Sequence, residues 1–181
     1  MHSIHFPIGL ILIAGGLVLP IIPQRFRAVL LLGLPMLVLA LVLQLPHQTY
    51  SINFLGANLH WLHYSQFGVV FGVIFSIMAF VGNLYALKHA SRLELSAAMI
   101  YSGSAIGVVL SGDFFTLFIF WELLAIGSTL VIWSNKTKQS YRAGLRYLFV
   151  HLLGGVILMI GIAGYYAATG QIGLTHLTTN S

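Results

Sequence analysis

Six apolar runs, each long enough to cross the hydrocarbon core of a bilayer, account for most of this sequence. A helix needs about 20 apolar residues to span about 30 Å at about 1.5 Å of rise per residue. The runs cover residues 6–22, 28–45, 67–87, 95–111, 113–134 and 143–169. They predict an all-α, polytopic membrane bundle of six transmembrane helices.

The composition agrees with this membrane class. Of the 181 residues, 59% are hydrophobic and 6% are charged, and the mean hydropathy is +0.96. The 8 basic and 3 acidic side chains cannot cover a soluble domain with a polar surface. Basic residues form no patch with interleaved aromatic residues, so no nucleic-acid partner is expected. The absence of cysteine excludes disulfides and thiolate metal sites. We expect a multi-pass protein of the cell (inner) membrane, surrounded by lipid.

Lys and Arg residues concentrate in alternate connections between the apolar runs. Seven of the eight lie in the first, third and fifth connections, at Arg25, Arg27, Lys88, Arg92, Lys136, Lys138 and Arg142. By the positive-inside rule these connections face the cytoplasm, and both termini lie outside. The outer segment 48–64 alternates apolar and polar residues, and it fits either a short hairpin or an interfacial loop.

Glu122 is the one acidic residue deep inside an apolar run. It follows Asp113 by nine residues, which is about 13 Å along a helix and close to the bilayer midplane. Ionising a carboxyl group in hydrocarbon costs about 3 kcal/mol or more, so such a residue normally faces protein or water and indicates function. Glu122 is therefore predicted to load and release a proton when a neighbouring charge moves. A neutral glutamate that only locks helix packing is the structural alternative.

Two residues of the sixth run are candidate partners for this carboxyl group. His151 lies at nearly the same depth as Glu122 and is a candidate proton relay. Arg146 is a candidate charge partner, or it snorkels toward the cytoplasmic surface. Their separation of five residues places them about 140° apart around a helix, so they cannot both face one point.

Other motifs bear on function more weakly. Asp113 and Glu94 are expected at helix starts, Asp113 as a solvated cap. His60 and His63, in HWLH, have a spacing that suits a metal on a helix, but no acid or cysteine accompanies them. No nucleotide-binding or zinc-protease motif is present. No metal or cofactor is expected, and enzymatic activity by this chain alone has no residues to support it.

Residues 112–133, GDFFTLFIFWELLAIGSTLVIW, and 141–166, YRAGLRYLFVHLLGGVILMIGIAGYY, resemble a family of antiporter-like subunits. This family is shared by Mrp-type Na+/H+ antiporters, respiratory complex I and membrane-bound hydrogenases, and the D-type Mrp subunit is the most similar. The resemblance implies a proton path in which Glu122 pairs with a lysine on a later helix. It also implies other membrane subunits as partners, with protons and Na+ as the candidate ions.

Family members carry those lysines on their seventh and later helices, which have no counterpart in this sequence. The chain is therefore expected to be the N-terminal part of a truncated or split subunit, or to be completed by a partner chain. We expect a four-helix segment at 1–111, the start of the proton-translocating domain at 112–169 and a polar tail at 170–181. An antiporter subunit, a proton-pumping subunit of a complex I-like or hydrogenase-like complex, and an inactive half-subunit all remain open.

Overall fold

The computed structural model describes residues 6–47, 49–54, 57–170 and 173–174. Most of the predicted polar tail, 170–181, lies outside these residues. The described part contains six helices and one two-stranded hairpin, so the all-α prediction holds apart from that hairpin. The elements are α1 (Gly9–Val18), α2 (Gln24–Leu43), β1 (Thr49–Phe54), β2 (Ala57–His63), α3 (Gln66–Ala86), α4 (Arg92–Val109), α5 (Phe114–Trp133) and α6 (Lys138–Thr169).

Four of these helices, α2, α3, α5 and α6, are long and apolar enough to cross a membrane. The multi-pass membrane class is thereby confirmed. Helix α1 has only 10 residues, about 15 Å of rise, and is shorter than the run at 6–22 predicted. Helix α4 has 18 residues but is more polar because it contains Arg92, Glu94 and several serines. Six membrane crossings and outward termini remain predictions.

Helix α4 forms the centre of the bundle and packs against α1, α3 and α5. Small residues allow these close approaches. A Cβ atom added to Gly103 would lie 2.5 Å from the carbonyl oxygen of Gly9 on α1. On the opposite side, a Cβ atom added to Gly127 of α5 would lie 2.8 Å from the backbone nitrogen of Tyr101. Helix α2 packs mainly on α3, and α6 packs on α5.

Two arginines join the basic connections at one end of the bundle. Arg27 Nη2 donates to the carbonyl oxygen of Ala90 at 3.1 Å, and Arg92 Nη1 donates to that of Pro20 at 3.3 Å. The α1–α2 and α3–α4 connections therefore meet. Arg25 and Arg27 lie inside α2, which begins at Gln24, and not in a loop before residue 28 as predicted.

The hairpin covers the opposite end of the bundle. Of the two structures expected for segment 48–64, a hairpin or an interfacial loop, the hairpin is therefore the one that forms. Strands β1 and β2 are antiparallel. The His63 backbone N–H donates to Leu110 at 2.8 Å, and the Gly112 N–H donates to His60 at 2.8 Å. The Leu174 N–H, beyond α6, donates to Gly112 at 3.0 Å. The turn between α4 and α5 thus lies between the hairpin and the segment that follows α6.

Side-chain caps set the starts of the two helices that carry the site. Asp113 accepts from the Thr116 backbone N–H at 2.7 Å and from the Thr116 hydroxyl at 2.8 Å, which confirms its predicted cap. The prediction that it is solvated is wrong, because Asp113 is 0% exposed. A capping box of Thr137 and Ser140 starts α6 at Lys138, five residues before the predicted start at 143. Lys138 and Arg142 therefore belong to the helix.

A candidate proton site between two antiparallel helices

Helices α5 and α6 are consecutive, and only residues 134–137 connect them. They therefore run antiparallel, and their interface can be followed from the connection inward. A side chain at Gly144 would overlap the indole of Trp133. Next inward, Ser128 meets Tyr147, and Trp121 stacks on His151. At the far end of the pair, the rings of Phe114 and Tyr165 lie 5.5 Å apart.

Glu122 lies in the middle of this interface, as the ninth residue of α5. Its Oε1 atom is shielded from solvent and has no hydrogen-bond partner in the part of the chain that is described. This oxygen packs directly against Gly155 of α6, where any side chain would overlap it. The absence of a side chain at position 155 therefore makes room for the carboxyl group.

His151 lies one helical turn from Gly155 on the same face of α6, about 6 Å along the axis. Its ring stacks on Trp121 with centroids 5.4 Å apart and planes at 27°. The Tyr147 ring lies 5.9 Å away. The Nε2 atom is buried and, among the described residues, finds no hydrogen-bond partner. The structure thus brings Glu122 and His151 to neighbouring positions of one interface, each with a buried polar atom left unpaired.

Arg146 lies elsewhere on α6. It is exposed and lines a shallow groove on the outer surface of the helix with apolar side chains including Leu145, Phe149 and Val150. This placement follows from the five-residue spacing that separates it from His151 around the helix. Within the described ranges, Glu122 Oε1 bonds neither to it nor to any other cation. A role for Arg146 as charge partner remains a prediction.

Several residues of this interface do not stand out in the sequence. Tyr147 and Gly155 are one turn before and one turn after His151, so the spacing Tyr147–His151–Gly155 on one helical face was the available signal. No comparable spacing in α5 indicated that Trp121 and Ser128 face α6. Helix α5 is apolar around its whole circumference, which leaves its orientation undetermined by pattern.

The histidines of HWLH lie in strand β2 rather than on a helix. His63 Nδ1 lies 2.7 Å from the Thr49 hydroxyl, and burial together with the nearby His60 lowers the pKa of His63. The described residues include no group of three His, Cys, Asp or Glu side chains able to hold a metal ion.

Part of the chain is similar to a known family of membrane subunits. Residues 111–181 match the family model described as "NADH:quinone oxidoreductase/Mrp antiporter, TM". This segment contains α5 and α6 with Glu122 and His151. Together with the helical membrane fold, the match confirms the predicted resemblance to antiporter-like membrane subunits.

Two curated relatives belong to bacterial Na+/H+ antiporters. The chain is 28% identical to the A1 component of a Staphylococcus aureus Na+/H+ antiporter, over 90% of this chain and 22% of the relative. It is 27% identical to the D component of the Bacillus subtilis Na+/H+ antiporter, over 62% of this chain and 24% of the relative. Both relatives are named as subunits. The chain thus spans about a quarter or less of their length.

A solved structure shares the fold. It is the membrane-bound sulfane sulfur reductase, described as an archaeal respiratory membrane complex. The similarity has a TM-score of 0.76 at 21% identity and covers 97% of this chain and 40% of the other. At this identity the match concerns the fold alone.

Proposed function

We propose that this chain is a membrane subunit of a multisubunit monovalent cation/proton antiporter, corresponding to the N-terminal part of an antiporter-like subunit. In this proposal Glu122 loads and releases the transported proton. The observation that carries it is the position of Glu122 Oε1, which is buried in the middle of α5 and lacks a hydrogen-bond partner in the described part of the chain.

The physical basis is the cost of a buried, unpaired carboxyl oxygen. Ionising a carboxyl group deep in an apolar membrane helix costs about 3 kcal/mol or more, whereas a bound proton removes the charge. A cation that comes within about 4 Å favours the charged form by about 4 kcal/mol at an effective dielectric constant of about 20. Movement of a positive group toward or away from Glu122 can therefore control whether the proton is held.

His151 serves in this proposal as the relay next to Glu122. An imidazole can bind a proton at one nitrogen and release it again, and it changes charge near neutral pH more readily than any other side chain. The flanking rings of Trp121 and Tyr147 hold the imidazole in place. Its buried Nε2 atom has no partner within the described ranges that would compete for the proton.

The exchanged cation is proposed to be Na+, because the names of the two curated relatives specify Na+/H+ antiport. Other membrane subunits would complete the transport path, since both relatives are named as subunits and are several times longer than this chain. The lysine expected opposite Glu122 would come from such a segment or subunit.

The test replaces Glu122 by Gln in the complex assembled in its native membrane. Glutamine keeps the shape of the side chain and cannot load a proton. Glu122→Gln should lower cation-driven proton movement in everted vesicles by about tenfold or more, on the scale of losing a general acid. Glu94→Gln, at the start of α4, is the matched control and should leave transport unchanged. Normal transport by Glu122→Gln, with the subunit present at normal levels, would disprove the proposal.

A proton-pumping subunit of a respiratory complex is the second candidate. Its support is the family description, which names NADH:quinone oxidoreductase beside Mrp antiporters. Both candidates use the same glutamate, so the genes encoded next to this one distinguish them. Neighbouring small antiporter subunits favour the first, and neighbouring iron–sulfur and quinone-binding subunits favour the second. An inactive half-subunit is the third candidate, and it predicts full activity of the complex with Glu122→Gln.

A further inference from the structure

A hydroxyl pair lies between His151 and the connection from α5 to α6. Ser128 Oγ and the Tyr147 hydroxyl are 2.8 Å apart and join the two helices. Tyr147 precedes His151 by one turn, and their rings are 5.9 Å apart. Because the helices are antiparallel, both hydroxyl groups lie on the same side of the Glu122–His151 level, toward Lys138.

The Ser128 hydroxyl has a choice of hydrogen-bond acceptors. Besides Tyr147, it lies 3.0 Å from the carbonyl oxygen of Leu124 and 3.0 Å from that of Ala125. A hydroxyl group has one proton to donate and two lone pairs that accept. Ser128 can donate to its own helix while it accepts from Tyr147, or it can donate to Tyr147. Both orientations are compatible with the same atomic positions.

We infer that Ser128 and Tyr147 are proton-relay residues, which connect the α5–α6 connection with His151 and Glu122. This inference rests on the proposed function of Glu122. Ser128 Oγ takes up a proton from water on the side of the α5–α6 connection as it passes its own proton to Tyr147 Oη, and the proton of Tyr147 leaves toward His151, so both hydroxyl groups are neutral afterwards. His151 Nε2 binds that proton and passes it to Glu122 Oε1. Reversal of the hydroxyl orientations restores the starting state.

The arrangement favours a proton relay over a purely structural role, in which the Ser128–Tyr147 hydrogen bond would only hold the two helices together. That structural role is called a lock below. A lock needs one fixed hydrogen bond, and Ser128 already has two carbonyl acceptors on its own helix. A relay needs groups that both donate and accept, ordered toward unpaired polar atoms. The described part of the interface contains this order, since Ser128 and Tyr147 are followed by the unpaired atoms His151 Nε2 and Glu122 Oε1.

The first experiment uses Tyr147→Phe in the assembled complex, in native-membrane vesicles. Phenylalanine keeps the ring beside His151 and removes the hydroxyl group. Tyr166→Phe is the matched control, because Tyr166 is an exposed residue of the same helix. Proton movement should fall by about tenfold or more in Tyr147→Phe, on the scale of a lost proton-transfer group, and it should be unchanged in Tyr166→Phe.

The second measurement separates a relay from a lock. Infrared difference spectra against Glu122→Gln identify the C=O band of the protonated Glu122 carboxyl group, and transfer to D2O reports how fast its proton exchanges. Tyr147→Phe should slow this exchange by about tenfold or more without moving the Tm of the complex. Ser128→Ala should slow it as well, and Ser128→Thr, which retains a hydroxyl group, should restore it.

The outcomes separate the two proposals. Normal exchange in both Tyr147→Phe and Ser128→Ala, while Glu122→Gln abolishes transport, overturns the relay and leaves the function of Glu122 standing. Normal transport in Glu122→Gln overturns both. If Tyr147→Phe fails to assemble, the comparison of Ser128→Ala with Ser128→Thr decides, because equal exchange rates in these two variants overturn the relay.

Discussion

Oε1 of Glu122 occupies the space that a side chain at position 155 would fill. The carboxyl group of α5 and the bare backbone of Gly155 on α6 are therefore complementary, and the position of one depends on the other. Neighbouring Gly154 faces away from the interface and would have no atom within 4 Å of an added Cβ. The two glycines are adjacent in sequence, but only Gly155 determines where the carboxyl group lies.

The first prediction concerns Gly155→Ala. The added methyl group overlaps Glu122 Oε1, so the carboxyl group must leave its present position in the interface. Transport by the assembled complex should fall by about tenfold or more, because small displacements of a reacting group have large kinetic costs. Gly154→Ala adds the same methyl group to open space and should transport normally. Equal activity of the two variants would show that the position of Glu122 is unimportant.

The second prediction concerns His151. His151→Ala should slow transport less than Glu122→Gln does, because a relay can be replaced in part by water. His151→Phe keeps an aromatic ring between Trp121 and Tyr147 but lacks both nitrogens, so it should be as slow as His151→Ala. His89→Ala, an exposed residue after α3, serves as the control. If rate and pH profile match the wild type in both His151 variants, the relay role is wrong.

The third prediction concerns the cap of α5. Asp113→Ala removes the acceptors for both Thr116 donors in a fully buried position, whereas Asp113→Asn retains one cap oxygen. Loss of a cap costs about 1 kcal/mol, which corresponds to about 2–4 °C in Tm for a chain of this size. Thermal unfolding in mild detergent should show this fall for Asp113→Ala and a smaller fall for Asp113→Asn. A larger loss with Asn than with Ala would contradict the cap.

The fourth prediction concerns the contact between α4 and α5. A Cβ atom added to Gly127 would lie 2.8 Å from the Tyr101 backbone nitrogen, and backbone atoms cannot move aside as a flexible side chain can. Gly127→Ala should therefore destabilise the bundle by about 1–3 kcal/mol, the usual cost of overpacking. Gly82→Ala on α3, where no atom lies within 4 Å, should leave the Tm unchanged or raise it. A fall in Tm for Gly82→Ala equal to that for Gly127→Ala would refute this contact.

The fifth prediction concerns the pH dependence of the hairpin. Burial and His60 lower the pKa of His63 from its usual 6.5, so the folded state binds fewer protons than the unfolded chain in this range. The stability contribution is fully present above pH 6.5 and is lost as the pH falls through the lowered pKa. The Tm measured between about pH 7.5 and about pH 5 should fall less in His63→Gln than in the wild type. His89→Gln should behave as the wild type does, and an identical pH dependence in all three would contradict the assignment.

Much of the architecture follows from the sequence. Apolar runs located all six helices, although the first run, 6–22, is longer than helix α1. Helix starts were less certain, because an apolar run does not show where polar caps extend a helix beyond it. Because Thr137 and Ser140 cap α6, this helix begins more than one turn before its predicted start. Helix α2 likewise includes two arginines that were predicted to lie in a loop. The polar ends of these helices lie beyond the apolar runs.

The candidate site divides in the same way. The sequence singled out Glu122 as the candidate, since a carboxyl group deep in an apolar run is costly wherever it points, and counting residues predicted a similar depth for His151. The sequence did not predict the aromatic neighbours of His151, the Ser128–Tyr147 hydroxyl pair or the contact with Gly155.

What the sequence alone determined is thus the membrane class, the order of the helices and the place of the acidic residue within its apolar run. The tertiary structure decided which residue of α6 faces Glu122. Helix α5 is apolar on every side, so no hydrophobic pattern fixes its rotation. That rotation is set by close contacts with two neighbours, Gly127 against Tyr101 of α4 and Glu122 against Gly155 of α6, and such contacts exist only once the helices are packed.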